Sequence, residues 1–86
     1  MTASSSEFRD SLQSLLETAE GLGFVAVDVN SGNLHRKVGG YPGQDHRMPI
    51  CCDVMYNAMG TGDEIVAQPE SGKGASVVVR YKLPRS

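Results

Sequence analysis

Apolar side chains recur at Phe8, Leu12, Leu15, Leu16 and Ala19, a three- and four-residue spacing that lines them along one helical stripe. The segment ahead of them, Ser4-Ser5-Ser6-Glu7, has the form of a capping box, with Ser4 as cap and Glu7 reaching back. Gly21-Leu22 predicts a Schellman-type stop, the glycine left-handed and the leucine folded onto the helix. Arg9, Asp10, Gln13, Ser14 and Glu17 fall on the opposite, solvated face.

The period then changes. Residues 24–29 are short and rich in β-branched side chains, which predicts a strand. Asn30 or Ser31 can cap a following helix of about two turns, with Leu34 and Val38 four apart and pointing inward. Residues 39–43 hold three glycines and a proline, so that helix stops there. Asp45 is the expected cap of the next helix, which tolerates Pro49 in its first turn. Residues 50–59 form its body, with Val54 and Ala58 sharing an inner face with Ile50 or Cys51, joined by Met55 and Met59. Gly60 and Gly62 close it. Residues 63–68 and 75–83 read as two strands joined by a mobile tip at 69–74. Val77, Val79 and Tyr81 alternate with Val78, Arg80 and Lys82, as in a half-buried strand.

Helix, strand, two short helices and a hairpin follow one another in an order that resembles the winged helix-turn-helix. The expectation is one α+β domain over residues 1–86, with residues 1–5 fraying. The resemblance implies docking on nucleic acid, most simply DNA, with the second paired helix in the major groove and the hairpin on phosphates. Arg47, Tyr56 and Asn57 would then face the groove. His35, Arg36, Lys37 and Lys73 would hold phosphates, helped by Arg80 and Lys82. Asp53 on the same stripe is awkward, because a carboxylate repels phosphate unless it accepts from a cytosine amine or orients an arginine. The plainer reading makes these solvated residues of a winged helix that contacts protein. A histidine placed like His35 more often caps a turn or lies on the surface.

Composition changes this picture in one respect. At 86 residues, 40% hydrophobic and 21% charged, the chain has the make-up of a single globular domain. No apolar run approaches the roughly 20 residues of a membrane span. The serine-rich start lacks the basic and apolar regions of a secretory signal, so the cytoplasm is the expected compartment. A formal charge of −2 argues against indiscriminate DNA binding. Yet residues 1–30 carry five acidic groups against Arg9 alone, a net −4, whereas residues 31–86 carry seven basic and five acidic groups, a net +2. So polarised a molecule can present a basic face.

Catalytic and metal chemistry find little support. Cys51 and Cys52 are adjacent, so they cannot staple distant segments and should be reduced thiols. With His35 and His46 they invite a zinc reading, but structural zinc sites space their cysteines by two to four residues. No metal or cofactor is expected. Ser71-Gly72-Lys73-Gly74 echoes part of a phosphate loop, without its upstream glycine, its Ser/Thr or its following helix. Gly21-Leu22-Gly23 is too short for a dinucleotide fingerprint. A nucleophile built from Cys52, His46 and Asp45 can be imagined, but nothing enforces it. Neither an enzyme nor a small-molecule substrate is indicated.

A second resemblance rests on residues 34–43, His46-Arg47-Met48-Pro49-Ile50-Cys51-Cys52 and Met55, continuing through Gly62-Asp63-Glu64, residues 71–75 and Arg80-Tyr81, about two thirds of the chain. This pattern is similar to small bacterial proteins and to modules joined to HNH-type endonucleases of restriction systems. It implies a DNA target-recognition module. It does not imply cleavage, since an HNH nuclease needs metal-binding histidines and an asparagine that two histidines in this pattern do not supply. The competing expectation is a protein-interaction adaptor that receives a partner strand on the hairpin's wing or open edge.

Overall fold

Phe8, Leu12, Leu16 and Ala19 are buried along one side of α1 (Ser5–Gly21), as the apolar spacing requires. A computed structural model describes residues 5–39 and 47–85. After α1 come β1 (Ala26–Asn30), α2 (Ser31–Val38), α3 (Met48–Asn57), β2 (Glu64–Ala67) and β3 (Val78–Lys82). Three helices and a three-stranded antiparallel sheet make a small α+β fold, with strand order β1-β3-β2. No described helix is long and apolar enough to cross a membrane. The Ser4 and Asp45 caps and the 40–43 part of the turn lie outside the described residues.

The helix stop has the expected form but a different glycine. The N–H of Phe24 donates to the carbonyl of Ala19 and that of Gly23 to Glu20, the paired bonds of a Schellman motif. The left-handed residue is therefore Gly23, at φ +89°, and not Gly21. Leu22 does not fold back; it is 71% exposed, and Phe24 and Val25 stay outside β1 at 58% and 78%. The strand begins two residues later than its β-branched composition predicts, because the stop itself uses residues 22–24.

Asn30 ends β1 and caps α2. Its side-chain oxygen accepts from the N–H of Asn33 at 3.0 Å, while its amide donates to the carbonyls of Ala75 (2.9 Å) and Val77 (3.2 Å). The N–H groups of Ser31 and Gly32 donate to Val77 and Ala75. Residues 75–77 therefore serve the start of α2 instead of extending β3, which begins at Val78.

The core forms where the inner face of the sheet meets the helices. Val77, Val79 and Tyr81 are fully buried with Leu83 beside them, confirming the alternation, and they pack with Phe8, Leu12, Leu34, Met55 and the two cysteines. Burial of side chains this size contributes roughly 1.5–3 kcal/mol each. The buried Tyr81 hydroxyl donates to the carbonyl of Met55 at 2.8 Å, which ties β3 to α3. On the outer face Asp28, Arg80 and Glu64 stand in register across the three strands.

Behind α3 a carboxylate gathers the chain end. Asp63 accepts from the N–H groups of Gly60 (2.8 Å) and Lys82 (2.7 Å), and pairs with Arg85 at 2.9 Å. Arg85 also donates to the carbonyl of Ala58 and stacks over Tyr81. Burial works to raise the Asp63 pKa, but the two backbone donors and the guanidinium outweigh it and hold it below the usual carboxylate range.

Candidate nucleic-acid interface

In α3, Pro49 sits in the first turn, where its missing N–H leaves no bond unmade, and Arg47 occupies the N-cap position. Cys51, Cys52, Val54 and Met55 turn inward. Asp53, Tyr56 and Asn57 fall on the outward side, as the spacing predicts. Part of that side is nonetheless covered.

The covering element is the connection between β2 and β3. The Tyr56 hydroxyl donates to the carbonyl of Gly72 and lies 3.2 Å from the side-chain oxygen of Gln68. Lys73 pairs with Asp53 at 2.8 Å. The Cys52 thiol donates to the carbonyl of Gly74 and accepts from its N–H, both at 3.4 Å, and Ser31 donates to the same carbonyl. The 69–74 segment is thus not a free tip but lies against α3 and the start of α2. Asp53 finds its role here: it holds a lysine, where the groove reading had it accept from cytosine or orient an arginine.

The predicted contact residues separate into groups. His35 is fully buried; its Nε2 accepts from the backbone N–H of Arg47 at 2.8 Å, and its ring meets Phe8 edge to face at 4.9 Å. A side chain so enclosed cannot reach a phosphate in this fold, so His35 leaves the contact set. Arg80 is exposed but lies between carboxylates, bidentate to Asp28 at 2.8 and 3.1 Å and 3.2 Å from Glu64. Its hydrogen bond holds Asp28 below the ordinary carboxylate pKa. Lys73 is committed to Asp53, and the Tyr56 hydroxyl to the connection. Those three side chains are therefore satisfied within the molecule.

Arg36 and Lys37 are exposed at the end of α2, and Arg47 is half-buried at the start of α3. The His35–Arg47 hydrogen bond joins the inner face of α2 to the start of α3, while Lys37 lies elsewhere on α2, beside a recess between α1 and β1. Asn57 is exposed at the far end of α3, roughly 15 Å along the axis from Arg47. Lys82 is exposed on the outer sheet face, its stem against Gly62.

The thiols are packing groups. Cys51 and Cys52 are fully buried and unbridged, and the Cys51 thiol sits 3.5 Å from the carbonyl of Ser31. Burial, with Cys52 beside it, pushes the Cys51 thiol up to about 12. Among the described residues no group of three His, Cys, Asp or Glu side chains comes together as a metal site.

Two surface features escaped the sequence reading. Leu22 and Phe24 border a recess of about 260 Å³ between α1 and β1, floored by Leu15, Ala19 and Val27. On the other edge of the sheet β2 exposes Ile65 at 41% and Val66 at 46%. An apolar run reads as buried from sequence, and nothing local marks which strand will end at an edge.

No protein-family model matches the chain, and no curated protein or solved structure is found similar to it.

Proposed function

We propose that the domain is a winged helix that binds nucleic acid, DNA in the first instance, without catalysing a reaction on it. The single observation that carries this reading is the arrangement of α2 and α3. They follow β1, precede the β2–β3 hairpin, and are joined by the His35–Arg47 bond, with Arg36 and Lys37 exposed on α2 and Arg47 at the start of α3. In a winged helix that helix pair is what meets the duplex. Arg36 and Lys37 would hold phosphates, and Arg47 would reach phosphate or guanine.

Three phosphates neutralised correspond to a log–log salt slope of about −2 to −3, so binding would be modest and strongly salt-dependent. The test is a titration of a short mixed-sequence duplex at low salt against wild type and an R36E/K37E variant. A loss of at least about tenfold in affinity, with an unchanged melting temperature, supports the reading.

A protein-interaction adaptor is the second reading, and the open edge of β2 favours it. That strand is exposed at all four positions and offers its unpaired side to a partner strand. R36E/K37E would leave such an adaptor intact.

A further inference from the structure

The α3 face that a winged helix would present to a groove is occupied by the chain's own 68–74 segment. Asp53 and Tyr56 on the outward side are bonded to it, as is Cys52 at its border. We propose that this segment is a strap, and that strap contact and DNA contact at α3 exclude each other. The inference rests on the nucleic-acid reading and adds its regulation.

The strap is built to lift without unfolding the domain. Residues 69–76 are exposed or half-buried, and none contributes an apolar side chain to the core. What holds it is the Tyr56 hydroxyl on Gly72 and Gln68, the Ser31 hydroxyl on the Gly74 carbonyl, two long sulfur contacts and one ion pair whose partners are 47% and 49% exposed. An ion pair that exposed holds weakly and weakens further with salt. Gly72, at φ +84° and with open space around it, precedes Lys73, so the backbone can swing there with little steric resistance. Val77 and the Asn30–Ala75 bonds anchor the far end, which limits the movement to the strap itself.

Lifting has a defined chemical result. Tyr56 becomes available to the groove, and Lys73 exchanges the Asp53 carboxylate for a phosphate oxygen. The closed strap thereby engages one cation and one hydroxyl of the interface together, while Arg36 and Lys37 lie outside it and can make the first encounter.

The experiment uses the full chain and variants that preserve net charge. Ser31→Ala removes the hydroxyl bond to the Gly74 carbonyl, and Gln68→Ala removes the contact with the Tyr56 hydroxyl; neither deletes a side chain of the interface. Amide hydrogen exchange at Gly72, Lys73 and Gly74 reads the strap, and titration with a short mixed-sequence duplex at low salt reads binding. For Ser31→Ala the expected result is exchange faster by about tenfold, the scale of one lost hydrogen bond, and tighter duplex binding by a similar factor. Faster exchange with unchanged affinity, in a wild type that does bind, overturns the strap and leaves the nucleic-acid reading standing. Exchange unchanged in both variants also overturns it, because the named contacts then do not hold the segment. If neither wild type nor Ser31→Ala binds duplex, the nucleic-acid reading fails and the strap's role falls with it.

Discussion

The backbone N–H of Arg47 donates to Nε2 of His35 at 2.8 Å, joining the first residue before α3 to the inner face of α2. The bond fixes how the two helices meet. It also requires an imidazole whose Nε2 carries a lone pair, inside a core where His35 packs against Phe8.

His35→Ala removes the acceptor of the Arg47 N–H and leaves a cavity beside Phe8. Its expected effect is a loss of about 2–4 kcal/mol in urea unfolding. A surface phosphate contact would behave in the opposite way, sparing stability and weakening duplex binding, so one unfolding curve separates the two roles.

Asp63 makes stability depend on acid. Its folded pKa is lowered by donors that outweigh its burial, so its contribution is fully present above the unfolded-state value of about 4 and is lost as pH falls through the lower folded value. Wild type should therefore lose stability in urea titrations taken from pH 5 down to pH 2. Asp63→Asn is expected to be less stable by about 2 kcal/mol at pH 7, and flatter across that acid range.

Gly62 and Gly23 separate backbone strain from crowding. Both have positive φ, at +93° and +89°, but a Cβ at Gly62 would lie 2.9 Å from Cδ of Lys82, whereas at Gly23 it would meet nothing within 4 Å. Each alanine substitution is expected to cost about 1 kcal/mol for the left-handed backbone. Gly62→Ala should cost a few tenths more, since the Lys82 stem can move aside. Matched thermal melts of the two variants give the difference.

Arg80→Ala tests the pairing on the outer sheet face. With its guanidinium held between Asp28 and Glu64, Arg80 should contribute little to duplex binding, so the variant's affinity is expected to stay within about twofold of wild type. A tenfold loss would restore Arg80 to the interface.

Periodicity carried most of the fold. The stripe from Phe8 to Ala19 and the alternation of Val77, Val79 and Tyr81 both sit where their spacing puts them, because burial acts on exactly those periods of 3.6 and 2. Ends were less legible. Gly21 and Gly23 are both credible stops, and only the hydrogen bonds to Ala19 and Glu20 distinguish them. The candidate site was legible as a list of side chains but not as a surface. Spacing told that Asp53 and Tyr56 face outward, yet Lys73 and Gly72 approach them from 20 and 16 residues away, and no local rule encodes that meeting. His35 misled for a related reason: its neighbours Arg36 and Lys37 are exposed, while a rotation of one residue along α2 turns it into the core.

The most direct measurement is an amide chemical-shift titration of the full chain with a short mixed-sequence duplex at low salt. Shifts centred on Arg36, Lys37 and Arg47, fading as salt rises and absent in R36E/K37E, are the predicted result. Spectra that stay unchanged at millimolar duplex, or shifts confined to β2 around Ile65 and Val66, would contradict the account.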